Sequence, residues 1–187
     1  MLRSRSKLVK EPKQVRLVPT DQLARLMADL GSDDGQVSQK ARLSLVEIGT
    51  PAVRSLIEAL ADPSDNVRWG AAKALGEIGD PSAASALVNA LEDKSSGIRW
   101  LAAEGLIALR QYALPPLLHA LTERSSSVWL RRGTHHVLSD LALRGFHDQV
   151  APVIEALEDV EPVVGVPPAA WLALEQLPSR RRRRMRS

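Results

Sequence analysis

Apolar residues recur along most of this chain at the three- and four-residue spacing of amphipathic helices. In the segment from Val67 to Gly79, the side chains of Val67, Ala71, Leu75 and Ile78 fall on one stripe, and polar side chains occupy the rest of the surface. The same spacing returns in segment after segment, each between 9 and 16 residues long. The pattern therefore predicts an all-α fold made of short helices.

Two kinds of helical segment alternate, and copies of the first kind follow one another at intervals of 30 or 31 residues. Copies of the first kind run over Val37–Gly49, Val67–Gly79 and Ile98–Arg110, and a looser fourth copy with about one extra residue begins near Val128. Copies of the second kind run over Thr20–Leu30, Thr50–Leu60, Pro81–Leu91, Ala113–Leu121 and Gln149–Leu157.

Turn residues separate the segments. Gly49-Thr50-Pro51 and Gly79-Asp80-Pro81 end one helix at glycine and begin the next at proline. Each unit is therefore a two-helix hairpin, and a hairpin this small buries its apolar stripe only by stacking on its neighbours. The sequence predicts an α-solenoid of about five hairpins, or roughly ten helices. Prolines 162, 167 and 168 interrupt its last part, and a short capping helix is expected over Ala169–Leu177.

The repeating units resemble HEAT repeats, in the short 30-residue form of phycobilisome-lyase-type proteins. The motif V-R-x-x-A-A-x-A-L-G-x-I-G-D-P stands at Val67–Pro81, and the resemblance extends over residues 20–158. It implies a right-handed α-solenoid in which arginines and aspartates of successive turns form a ladder. Arg68 and Arg99 would be its arginines, with Asp62 and Asp93 as the acids. Ser38 and Trp129 would replace arginine in the flanking units, which leaves the ladder incomplete.

The net charge of +3 conceals three segments of different sign. An N-terminal arm, residues 1–19, carries a net charge of +5, and a C-terminal tail, residues 179–187, carries +6. The solenoid between them, residues 20–178, keeps 13 basic and 21 acidic residues and has a net charge of −8. The basic residues of the arm and tail are Arg3, Arg5, Lys7, Lys10, Lys13, Arg16, Arg180, Arg181, Arg182, Arg183, Arg184 and Arg186.

These arms are predicted to bind an anionic partner. An arginine run neutralises the phosphates of RNA or DNA, with an affinity that falls as salt rises. It also binds acidic protein surfaces, including the body of a second copy. A membrane surface would hold it only weakly, because the arms have no lipid or strongly apolar anchor.

The sequence shows no catalytic, cofactor or metal constellation. With no cysteine, it has no disulfide, thiolate metal site or cysteine nucleophile, a composition that favours the cytoplasm. The metal-dependent hydroxylases with HEAT repeats carry His-Glu pairs, and none occurs here. The adjacent His135 and His136 point about 100° apart on a helix, which is unsuited to chelation. We therefore expect no enzyme, metal or cofactor, and the lyase activity of related HEAT proteins is the less favoured alternative.

Two surfaces are candidates for binding. In solenoids of this family the second helices line the concave face, where small and mildly acidic side chains would admit a partner. Its candidate residues are Arg25, Ser55, Glu58, Asn89, His119 and Glu155. Trp69 and Trp100 share one repeat position, with Leu130 third in the row, which predicts packing between neighbouring units. The alternative is a row of aromatic rings that stacks nucleic-acid bases.

Taken together, these features predict a protein-interaction scaffold, an adaptor or accessory subunit of a larger assembly. It would bind through the concave face and the basic arms. Nucleic-acid or ribonucleoprotein binding through the arginine-rich tail is the alternative, but the acidic solenoid lacks the basic stripe that such a role requires.

Overall fold

A computed structural model describes residues 19–177, and every regular element in that range is helical. The ten α-helices are α1 (Thr20–Leu30), α2 (Gly35–Ile48), α3 (Thr50–Ala59), α4 (Asp65–Ile78), α5 (Ala84–Ala90), α6 (Ser96–Leu109), α7 (Leu114–Arg124), α8 (Val128–Leu141), α9 (His147–Glu158) and α10 (Pro162–Gln176). Short 3₁₀ turns precede α5 and α7, and a π-helical segment, Ala142–Phe146, joins α8 to α9. The all-α prediction is confirmed.

The turns between helices follow from their capping residues. Asp34 accepts hydrogen bonds from the backbone N–H groups of Gln36 and Val37 at the start of α2. Gly49 and Gly79 end α2 and α4 with φ angles of 71° and 67°, a conformation that favours glycine. Arg110 stands where the repeat places the next glycine, and it too has a positive φ, 54°.

The helices stack into two layers that share one core. In the first layer α2, α4, α6 and α8 pack side by side in chain order, and α4 against α6 is the most extensive contact. The other layer covers them, with α3 on α4 and α5 on α6. Leucines from successive units, among them Leu45, Leu75 and Leu106, are fully buried in one continuous cluster. The structure is therefore an α-solenoid, in which each unit completes its core with its neighbours.

An arginine ladder ties the turns of successive units together. The Arg68 guanidinium, which is buried, donates from Nε to Oδ2 of Asp93 at 2.7 Å and from Nη1 to the carbonyl oxygen of Asp62 at 2.9 Å. Asp93 belongs to the next turn, so this ion pair joins two units, as predicted. At the α2 position Ser38 replaces arginine, also as predicted, and its hydroxyl donates to the carbonyl oxygen of Leu30.

The register predicted for the fourth unit was wrong by two residues. Arg99 donates to the carbonyl of the residue six before it, Asp93, and Arg131 makes the same contact with Ser125. Arg131, and not Trp129, therefore occupies the ladder position. The extra residue lies before α8, in the preceding unit, and not inside it.

The predicted break before residue 169 was also wrong. Helix α10 begins at Pro162 and runs through Pro167 and Pro168. Pro167 has no N–H to donate to the carbonyl of Val163, four residues earlier. The Ser125 hydroxyl donates to that carbonyl instead, at 3.2 Å. A partner from another unit thus satisfies the oxygen that proline leaves free.

Candidate functional site

The predicted concave-face residues lie on five different helices, one or two on each. Arg25 is on α1, Ser55 and Glu58 on α3, Asn89 on α5, His119 on α7 and Glu155 on α9. All are exposed except Ser55, which is half-buried. The exposed positions are accessible to a partner, and the partner-binding role itself stays a prediction.

Two of these residues line one hollow. Asn89 and His119 face a depression of about 200 Å³ between α5 and α7, with Ser85 and Pro116 in its wall. Arg124 Nη2 donates to Asn89 Oδ1 at 3.0 Å and closes one side. Glu123 also lines the hollow, so its wall combines small side chains with one acidic and one basic group that can pair with polar groups of a partner.

Helix α10 changes the far end of this face. It packs extensively against both α7 and α9, whereas α7 and α9 make no extensive contact with each other. The candidate residues from Ser55 to His119 lie on α3, α5 and α7, and Glu155 lies on α9, which is joined to α7 mainly through α10.

The aromatic side chains of the first helices pack against the neighbouring units but are only partly covered. Trp69 and Trp100 are 44% and 57% exposed, so the predicted packing leaves about half of each side chain in contact with solvent. The Trp100 ring stacks on His136 with their centroids 5.1 Å apart, and Lys73 lies 5.6 Å from the Trp69 ring. The helical period gave their shared register correctly. It did not show that this register faces solvent.

The Trp129 ring contacts Arg99 at the point where an aspartate would continue the arginine ladder. The fourth turn has Ser125 at the position of Asp62 and Asp93, so Arg99 has no acid in the next unit. Its guanidinium carbon lies 3.8 Å from the centre of the Trp129 ring. A cation–π contact of this kind contributes roughly 0.5–2 kcal/mol. The ring is 45% exposed and borders the surface formed by Trp69 and Trp100.

The ion pairs of the ladder change the acidity of their members. Burial raises the pKa of Asp93, but hydrogen bonds from Arg68 and from the Ser95 N–H outweigh it and leave the pKa below its ordinary value. The hydrogen bond to Asp93 raises the pKa of Arg68. Hydrogen bonds from Lys94 and Arg68 lower the pKa of Asp65. The ladder is fully charged at neutral pH.

A second cleft of about 450 Å³ lies between α8 and the turn that leads into α10. Val128, Leu157 and Pro162 form its apolar walls, and Arg132 lies at its edge. His135 Nε2 is 2.8 Å from Glu158 Oε1 in the same cleft. No pattern in the sequence indicates this cleft, because its two sides come from segments about 25 residues apart.

The histidines of residues 19–177 each face one carboxylate. His136 Nε2 lies 3.3 Å from Glu104 Oε1, and His119 Nδ1 lies 3.5 Å from Glu123 Oε2. No group of three His, Asp or Glu residues suited to a metal ion occurs in that range. No helix there is long and apolar enough to cross a bilayer. The basic residues predicted to bind an anionic partner, Arg3 to Arg16 and Arg180 to Arg186, lie outside the described residues.

The stacked hairpins, shared core and arginine ladder define a helical repeat protein of the α-solenoid class. Residues 53–135 match the family model described as HEAT repeats, which supports the predicted resemblance to HEAT-repeat proteins. Membership of the phycobilisome-lyase-type subgroup stays a prediction. A crystal structure described as an engineered protein matches with 19% identity and a TM-score of 0.42, covering 81% of this chain and 77% of its own. A search of curated proteins found none that matches this sequence.

Proposed function

We propose that this chain is a non-enzymatic adaptor, an accessory subunit of a larger assembly. It would bind a protein partner through the basic arms and through the second-helix face, which is the exposed surface of α3, α5 and α7. HEAT repeats are generally scaffolds for protein–protein interactions. The proposal rests on a row of accessible side chains on α3, α5 and α7. Asn89 and His119 belong to this row and line the hollow, and the helices that carry the row share a fully buried core.

The mechanism would be complementarity to a preformed surface. Because the second helices are held by a continuous core, the face needs little rearrangement on binding, and the entropic cost of docking is small. The basic arms would add electrostatic attraction and lose conformational entropy only when they dock. We expect such an adaptor to work in the cytoplasm.

A capture experiment with matched variants tests this proposal. The tagged full chain is compared with the variant Asn89→Arg/His119→Arg, which fills the hollow, and with the control Gln39→Arg/Leu43→Arg on the exposed face of α2. Captured proteins are identified after nuclease treatment, at about 0.05 M and 0.5 M salt. We expect one partner to be captured by the wild type and by the control, but not by the hollow variant. Equal capture by all three would contradict the proposal.

Nucleic-acid binding is the second candidate, favoured by the six arginines of the C-terminal tail. RNA affinity of the full chain would be compared with that of a chain lacking residues 179–187, over a salt series. Salt-dependent binding that disappears with the tail would support this function. No measurable binding by the full chain would exclude it. A pigment or metal that copurifies with the chain would instead support an enzyme of the lyase type.

A further inference from the structure

The outward face of α10, the side turned away from α7 and α9, is apolar. Val164, Pro168, Trp171 and Leu172 follow one another at helical spacing and are exposed. The exposed fractions are 69% for Val164, 54% for Trp171 and 53% for Leu172. The opposite side of the helix packs against α7 and α9. A contiguous group of exposed apolar side chains of this kind is suited to contact with another protein surface.

The two ends of α10 are flanked by opposite charges. The segment before it, residues 155–161, contains four acids and no lysine or arginine: Glu155, Glu158, Asp159 and Glu161. The segment after it, residues 180–187, contains six arginines and no acid. Between these segments, Glu175 is the only charged residue of the helix.

This arrangement is self-complementary in one orientation only. In an antiparallel pair of α10 helices, each arginine-rich tail lies beside the acidic segment of the other copy. A parallel pair would bring like charges together at both ends. A two-fold axis near Pro168 would also place Val164 against Leu172 of the second copy, which is the reciprocal contact of a symmetric dimer.

We propose that a second copy of this chain covers the outward face of α10, in an antiparallel pair with each tail docked on the other copy's acidic segment. The proposal names one partner for the C-terminal tail and rests on the anion-binding role proposed for it above. A helix of 15 residues is about 22 Å long. Paired alone, two such helices bury less than the roughly 1,000 Å² of a stable interface. The charged ends therefore decide whether the dimer forms.

Sedimentation equilibrium of the purified, nuclease-treated full chain tests the dimer. We expect a dimer at about 0.05 M salt whose dissociation constant rises at least tenfold at about 0.5 M. Leu172→Asp should raise it at least tenfold at low salt. Leu143→Asp is the matched control, because that leucine is 90% exposed in the segment between α8 and α9. It should leave the dimer intact.

A charge exchange tests the orientation. One variant carries glutamate in place of all six tail arginines, and another carries lysine in place of all four acids of residues 155–161: Glu155→Lys, Glu158→Lys, Asp159→Lys and Glu161→Lys. Each alone should be monomeric, because its tail and its acidic segment now have the same sign. Mixed together, they should form a heterodimer with both contacts restored. This restoration also shows that both variants are folded.

Three results would overturn the proposal: a wild-type chain that stays monomeric, a dimer unaffected by Leu172→Asp, or a mixture that stays monomeric. A tail folded back on its own chain, or an N-terminal arm that covers α10, predicts the first of these results. The test needs no foreign partner, so it is separate from the capture experiment. Capture without dimerisation contradicts only this inference, and dimerisation without capture contradicts only the adaptor.

Discussion

At the scale of single residues, the backbone of Arg110 is the clearest departure from the repeat. Its φ and ψ angles, 54° and −127°, are close to those of Gly49, 71° and −136°, which ends an earlier copy of the same helix. A side chain in this region costs of order 1–3 kcal/mol, whereas glycine adopts it freely. Arg110 therefore has the backbone conformation that glycine adopts at the end of α2, but it has a side chain that disfavours this conformation.

Arg110→Gly should therefore stabilise the protein by about 1 kcal/mol, as measured by urea unfolding. Arg54→Gly, at an exposed site inside α3, is the control and should destabilise by about 1 kcal/mol. If Arg110→Gly lowers the free energy of unfolding instead, the conformation assigned to residue 110 is incorrect.

The ion pair between Arg68 and Asp93 makes stability depend on pH. Because the pKa of Asp93 is lower in the folded protein than its ordinary value, near 3.9, the pair stabilises the fold above that value. The contribution is lost as the pH falls through the lowered pKa. The pair thus favours the folded state at neutral pH and much less in acid.

Asp93→Asn should lower the free energy of unfolding by about 3 kcal/mol at pH 7, since it leaves the buried Arg68 without its principal acid. The difference from wild type should shrink below about pH 4. Unfolding curves from pH 3 to 8, in about unit steps, measure both effects. Asp29→Asn, at an exposed site, should change stability by less than about 0.5 kcal/mol. An effect of Asp93→Asn that is the same at every pH would contradict this account.

At the scale of helices, the backbones of α4 and α6 approach each other closely. A Cβ atom added at Gly76 would lie 3.1 Å from the Cα of Gly105, and one added at Gly105 would lie 3.0 Å from a methyl carbon of Leu87. The two backbones can pack this closely because both positions lack a side chain. This contact sets the spacing of the central units.

Gly105→Leu should force α4 and α6 apart and lower the free energy of unfolding by about 3 kcal/mol, as measured by urea unfolding. Gly97→Ala is the control on the same helix, because its Cβ would meet no atom nearer than 3.8 Å. It should be neutral or stabilise by up to about 1 kcal/mol. Equal effects of the two substitutions would refute the close packing of these helices.

The hairpins could be predicted from the sequence, whereas the start of α10 and the register of α8 could not. A 30-residue period and glycine–proline turns are local signals. The stability of α10 across Pro167 instead depends on Ser125, 38 residues away from the carbonyl that it satisfies. The exposure of Trp69 and Trp100 likewise depends on which surfaces remain uncovered after stacking, and helical periodicity carries no information about that.

At the scale of the whole molecule, one shared core joins the units. A substitution that disrupts the centre of this core should therefore destabilise all of the units. Leu75 is fully buried in α4, in the middle of the array. Leu75→Asp adds a charge with no partner and should cost more than about 4 kcal/mol, enough to unfold the array. Circular dichroism and thermal melting measure the loss. Leu143→Asp, at a 90% exposed site, is the control, and wild-type melting of the Leu75→Asp variant would refute the assigned core.

The folded body and the basic arms differ in charge, and we propose different roles in binding for them. Residues 20–178 have a net charge of −8, and in the proposed adaptor the two basic arms would bind anionic partners. The body would supply shape and the arms would supply attraction at a distance. The candidate site was predicted only as a column of residues. The packing of α10 on α7 and α9 depends on contacts between segments distant in sequence, which the repeat pattern does not predict.

Site-specific photo-crosslinking tests the central claim, that a protein partner docks on the second-helix face. A benzophenone amino acid replaces His119 in the hollow or, in a second chain, Leu43 on the exposed face of α2. Both chains are irradiated in nuclease-treated extract, and the adducts are resolved by mass. The account predicts one discrete protein adduct from position 119 and none from position 43. An adduct from position 43 alone, or none from either position, would contradict it.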